Sequence, residues 1–173
     1  MKKKIITALL IAITAISVLP ASATDFALML GCGSFYSPKE GISVSYGMTA
    51  GLTESVDISL VGMTELIPDA GKRNIFMLEV GMTLLGKRNT GSKVAGVCVN
   101  SVVSLGAFYR TDDNGCGVYL GISPLTLGSP ITSRRERGLR TNVGYDFVNR
   151  KVMVTFSPID IEVYLAGTYR DWL

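Results

Sequence analysis

Asp160 and Glu162 stand two residues apart in an alternating segment near the C-terminus. Side chains two apart on a strand share a face, so the pair has the spacing of a general acid and its base. Little else in the chain supports such chemistry. There is no histidine among 173 residues, which removes Ser-His-Asp and Cys-His nucleophile systems and the commonest metal ligand. Cys32, Cys98 and Cys116 fit no zinc spacing. Their odd number leaves at least one unpaired in an exported protein. They read as small apolar fillers, with one disulfide open and no pair assigned. Gly31-Cys32-Gly33 lacks the Lys-Ser/Thr of a phosphate loop. Arg134-Arg135-Glu136-Arg137 reads as a solvated loop, whose other use would be contact with anionic lipid heads. The stronger reading of Asp160 and Glu162 is therefore structural, with no metal and no cofactor expected.

The elements that must position these residues are strands. In 41–52, Ile42, Val44, Tyr46, Met48, Ala50 and Leu52 alternate with Gly41, Ser43, Ser45, Gly47, Thr49 and Gly51. A period of two marks a strand with one apolar and one polar face. The polar face carries no charge, which is unusual for a sheet exposed to water. The pattern recurs at 25–36, 55–64, 74–85 and 93–110. A further strand starts at Cys116 and fades past Pro124, and another spans 139–147. The last, 151–170, is either one strand bent at Ser157-Pro158 or two short ones. Pro38-Lys39-Glu40-Gly41, the 65–73 segment, Gly86 to Gly91 and Asp112-Asp113-Asn114-Gly115 read as turns and loops. Eight strands are expected.

The first 23 residues read as a secretory leader. Lys2-Lys3-Lys4 precedes an apolar run from Ile5 to Leu19, and Ala21-Ser22-Ala23 offers a small-residue cleavage site. A membrane anchor is the alternative, but the run is short for a span and Pro20 ends it. Met29-Leu30-Gly31-Cys32 has the outline of a lipoprotein processing site, though Asp25 would then interrupt its apolar stretch. The expected mature domain is 24–173, with 14 basic and 14 acidic residues. That balance gives no electrostatic case for nucleic acid. No later run is long and apolar enough for a spanning helix. A closed barrel is the other structure that satisfies its backbone in lipid.

Most charges fall in turns. A few interrupt strands, and nearly all of these fall on the face opposite the apolar one: Asp57, Glu79, Arg140, Asp146, Asp160, Glu162 and Arg170. If the apolar face meets lipid, these seven point into a lumen. An eight-stranded barrel is narrow enough for side chains to fill it, and buried charges need partners, so a paired network is expected. Phe26, Tyr36, Tyr109, Tyr145, Phe147, Tyr169 and Trp172 lie near strand ends, where membrane barrels carry aromatic girdles.

Leader, domain length, alternating strands and the Gly-Leu-Thr-Glu-Ser turn at 51–55 together resemble the small outer-membrane β-barrels, the class of the OmpA membrane domain, OmpX and OmpW. The resemblance covers 24–173. It implies an all-β, up-and-down antiparallel transmembrane barrel in the outer membrane of a Gram-negative-type cell. The implied partners are membrane lipids and the barrel-assembly machinery. The implied role is structural or small-solute passage, without enzymatic activity. Such barrels usually end on an aromatic residue; here Trp172 is followed by Leu173. Lipid A-modifying barrels of this size use a His beside a Ser, which this chain cannot supply. The alternative is a soluble exported, lipocalin-like barrel holding a small apolar ligand. An enzyme built on Asp160 and Glu162 ranks last.

Overall fold

A computed structural model describes residues 25–36, 41–53, 55–67, 71–84, 92–94, 97–129 and 134–167. The expected leader, most of the turn at 38–41, and Tyr169, Arg170 and Trp172 lie outside them. The strands are β1 Asp25–Tyr36, β2 Ile42–Gly51, β3 Val56–Glu65, β4 Asn74–Thr83, β5 Ser92–Val94, β6 Val97–Arg110, β7 Cys116–Ser129, β8 Arg134–Asp146 and β9 Lys151–Gly167. Each main strand pairs antiparallel with its chain neighbours, β1 also pairs with β9, and β4 pairs with β6. The result is a closed, eight-stranded up-and-down barrel. The three-residue β5 is a hairpin partner for the start of β6. No helix occurs among the described residues. Closure leaves the main strands no free edge.

The expected alternation sets the two faces. Leu28, Leu30, Phe76, Leu78, Val80, Leu120, Ile122, Val143 and Val152 point outward and are exposed, Leu120 to 67%. Ser43, Ser45, Thr49, Ser59, Asn142 and Thr155 point inward and are buried. The β2–β3 turn is tight: Leu52 and Thr53 amides both donate to the Val56 carbonyl, and Thr53 Oγ1 accepts from the Val56 amide at 3.1 Å.

Three sequence expectations need correction. The segment expected as one strand at 93–110 is two, β5 and β6, which pair antiparallel with each other. β7 does not fade at Pro124 but continues to Ser129. Arg134 to Arg137 is not a loop: it opens β8, and Arg135 and Arg137 are buried inside the barrel.

The last two corrections share a cause. A seam of irregular pairing crosses the wall. β6 and β7 shift register between Asn100 and Val102, and β1 and β9 shift between Cys32 and Ser34. Between these, Pro124 and Leu125 are both exposed in β7, and Pro158 and Ile159 are both exposed in β9. In β8, Leu139 takes φ 54°, a left-handed conformation rare for a branched side chain. Gly138 pairs with Ile159 and Arg140 with Ser157, with Leu139 and Pro158 between. Proline inside a sheet is confined to such bulges because it has no amide to donate. Past the seam, β7, β8 and β9 all exchange their inward and outward residues.

The interior has two halves. One mouth holds both strand ends Asp25 and Gly167, so it is the terminal mouth. Toward the far mouth the bore is filled by Met63, Ile75, Met77, Phe108 and Met153, in one cluster with Met29, Val61 and Tyr119. Toward the terminal mouth it is filled by charge.

Candidate functional site

The charged half is built from two opposing walls. β8 supplies Arg135, Arg137 and Arg140; β3 and β4 supply Asp57 and Glu79; β9, beside β8, supplies Asp160 and Glu162. All seven side chains are 3% exposed or less. Arg137 is the hub. Its guanidinium meets Asp57 Oδ1 at 3.3 Å, Glu79 Oε1 at 3.3 Å and Glu162 Oε1 at 2.8 Å. Arg135 Nη1 lies 3.3 Å from Asp57 Oδ2 and 3.5 Å from Glu162 Oε2. Arg140 donates to Glu79 Oε2 at 2.7 Å and to Asp160 Oδ2 at 3.3 Å. The arginines thus reach from β8 across the bore to the opposite wall.

Hydroxyls complete the carboxylate shells. Tyr119 donates to Glu79 Oε2 at 2.8 Å, and Tyr164 donates to Glu162 Oε2 at 3.2 Å. Thr49 donates to Glu162 Oε1 at 3.3 Å and is itself 2.9 Å from Ser59. Ser45 Oγ lies 2.6 Å from Asp160 Oδ1. Small residues make the room. A Cβ on Gly81 would strike Asp57 Oδ1, and one on Gly31 would strike Asp160 Oδ1. Small inward residues opposite large ones are how a narrow barrel fills its interior.

Of the seven residues expected in a lumen network, Asp57, Glu79, Arg140, Asp160 and Glu162 come together. Asp146 is buried but belongs elsewhere. It caps the β8–β9 turn at the far mouth, accepting from the Val148 and Asn149 amides at 3.0 Å each. Arg170 lies outside the described residues. Arg135 and Arg137, the centre of the network, escaped sequence reasoning because a basic run beside a fading strand resembles a loop. The usable signal was the double proline: Pro124 and Pro158 mark one seam, past which the alternation restarts in the other phase.

Of the aromatic set, Tyr109, Tyr145 and Phe147 point outward near the far mouth. Tyr145 and Phe147 pack edge to face with ring centroids 5.7 Å apart. Phe26 is half-buried on the outer face at the terminal mouth. The Tyr36 side chain, Tyr169 and Trp172 are outside the described residues. Cys32 and Cys116 are free and exposed on the outer face; the Cys98 side chain is not described.

Asp160 and Glu162 do share a face, as their spacing requires. Each is already engaged by a guanidinium and by hydroxyls, and both are 0% exposed. An acid–base pair needs a reacting group within reach, and here that place is taken by Arg137 and Arg140. The arrangement cross-links walls; it does not present a reactive edge.

No protein-family model, curated protein or solved structure matches the chain. The fold and the interior together define a class: a closed, eight-stranded antiparallel barrel whose bore is crossed by buried ion pairs.

Proposed function

We propose that the protein is a non-enzymatic integral outer-membrane barrel whose bore is sealed and whose role is that of a membrane-embedded wall. One observation carries this reading. Outward positions along the eight main strands are apolar or small, and Glu136 is the only charged one among those described. The other described charges of the same strands are buried inside, apart from Arg110 and Lys151 at the far rim. An apolar belt of this extent is an aggregation surface in water, whereas lipid requires it. A lipocalin-like barrel would need the reverse, a charged exterior around an apolar cavity. Tyr109, Tyr145 and Phe147, at one edge of the belt, suit a water–lipid boundary. Lipids and an assembly machinery are then its expected partners. Of the two roles the resemblance implies, the structural one is favoured over solute passage. The bore is blocked at one level by Arg137 and its three carboxylates and at another by Phe108 and the methionines.

The test uses protein whose native cysteines are replaced by serine, folded into lipid vesicles and carrying one new cysteine. Val44 is half-exposed on the outer face, and Ser45 is 1% exposed within the lumen. A nitroxide at position 44 should be broadened by a lipid-soluble relaxant and one at 45 should not. Equal relaxation at both sites by a water-soluble agent, or recovery of the protein as a detergent-free soluble monomer, overturns the proposal.

A further inference from the structure

Met63, Met77 and Met153 fill the far half of the bore together with Ile75 and Phe108. Strand positions favour β-branched and aromatic residues, and a flexible thioether specifies a core poorly. Three methionines in one section of a barrel therefore ask for a reason beyond filling. They start on three strands and end on one arc of the wall. Met77 leaves β4 and crosses to β8, where its Sδ accepts from Asn142 Nδ2 at 3.9 Å. Met63 leaves β3 and reaches past β2 to β1, where a Cβ on Gly33 would lie 2.6 Å from its methyl carbon. Met153 stands on β9, between β8 and β1, two residues from Thr155, the partner of Asn142. All three are 4% exposed or less.

Thioether sulfur is a metal ligand without help from histidine or cysteine. It is soft and uncharged, and it selects Cu(I) rather than the hard cations that carboxylates hold. A cation among apolar side chains also needs a counter-charge. Glu65 stands ready to give one. It follows Met63 on the inward phase of β3 and is 0% exposed. Its Oε2 lies 3.3 Å from Arg73 Nε, while its Oε1 accepts no hydrogen bond among the described residues. Ser43, opposite Glu65 on β2, gives its hydroxyl to the Gly33 carbonyl at 2.6 Å instead. A buried carboxylate oxygen without a donor calls for a partner.

We propose that Met63, Met77 and Met153 form a binding site for one soft monovalent cation of the Cu(I) class, with Glu65 as its charge partner. The site lies inside the bore, so it does not depend on whether the outer face meets lipid. Ag(I) shares this chemistry without changing oxidation state and is the probe. The full barrel, with Cys32, Cys98 and Cys116 replaced by serine, is folded in chloride-free detergent and titrated with silver nitrate. Calorimetry reads the affinity, and isotope-labelled methionine methyl signals read the place. Binding should saturate at one ion per barrel and shift the methyls of Met63, Met77 and Met153. Met48 and Met82, on the outer face, should not move. Met63→Leu, Met77→Leu and Met153→Leu conserve volume and should each weaken binding about tenfold or more. Glu65→Gln should weaken it about tenfold by removing the counter-charge. No saturable binding, or an affinity unchanged in the triple Met→Leu variant, overturns the proposal and leaves the methionines as filling. If the triple variant does not fold, the unsubstituted methyls decide: shifts confined to Met48 and Met82 overturn the site. An affinity unchanged in Glu65→Gln removes Glu65 from it.

Discussion

Arg137→Met is the sharpest probe of the network. Methionine has a similar reach and is apolar, so it fills the bore while removing the charge. The guanidinium touches three carboxylates at 2.8–3.3 Å with 1% exposure. Breaking a buried ion pair by removing one partner costs about 3–5 kcal/mol, because the remaining charge is stranded. None of the three acids is left wholly alone: Asp57 and Glu162 keep Arg135, and Glu79 keeps Arg140 and Tyr119. The cost should therefore lie near the lower end, about 3 kcal/mol. Adding Glu162→Gln removes the closest stranded charge and should recover roughly half of that loss by the same reasoning. The assay is urea unfolding of the barrel in vesicles, read by gel mobility of unheated samples and by far-ultraviolet circular dichroism. A loss below about 1 kcal/mol, or a double variant less stable than the single, would refute the claim that these pairs bind the walls together.

Leu139→Gly should be close to neutral, since relief of about 1–2 kcal/mol of left-handed strain offsets a lost outward side chain. Leu139→Val, β-branched at φ 54°, should lower the urea midpoint clearly. Gly81→Ala should cost about 1–3 kcal/mol by overpacking, because its Cβ meets Asp57 Oδ1, and Asp57 is pinned by two arginines; chemical denaturation measures it. At the far mouth, partial burial raises the Asp113 carboxyl. The Lys151 hydrogen bond, the Arg110 charge and the Gly115 amide together outweigh this and leave it below the ordinary carboxylate value. A group lowered on folding contributes stability above its unfolded value and loses it as pH falls through the folded one. Acidification should therefore lower the midpoint less in Asp113→Asn than in the wild type, and an identical acid slope in both would remove the bridge from the account.

Barrel class, the division of each strand into an apolar and a polar face, and most strand limits were legible because a period of two is a local signal, repeated along each strand; which face turns inward was not, since alternation is the same either way. Asp57, Glu79 and Arg140 were legible for the same reason: each sits in phase with its own strand. What was not legible is non-local. The division of the bore depends on which inward residues share a level, and this follows from register and shear rather than from any one segment. Phe108 and Tyr119 show the limit. One lies near a strand end and looks like a girdle residue, yet both point inward. Asp146 shows another: its phase is right, but its place at a strand end turns it toward the Val148 and Asn149 amides.

The seam and the ion network are one device, and the spacing in β8 shows why. Arg140, Asn142 and Asp146 are inward. Carried back without interruption, that phase would put Glu136 in the bore and Arg135 and Arg137 on the outer face. In β9, Met153, Thr155 and Ser157 are inward, and the same extrapolation would turn Asp160 and Glu162 outward. Leu139 and Pro158, facing each other between the paired positions Gly138–Ile159 and Arg140–Ser157, reverse both strands at one level. Four charges enter the bore together, while Ile159 and Ile161 of β9 and Gly138 and Glu136 of β8 take the outer places, so one charge goes out for four that come in. The left-handed Leu139 costs about 1–2 kcal/mol. Leaving two arginines and two acids on an apolar outer face would cost more, about 2–4 kcal/mol for each arginine at the midplane of a bilayer. A bulge that looks like a defect in the wall is therefore what gives the barrel both its apolar exterior and its charged interior.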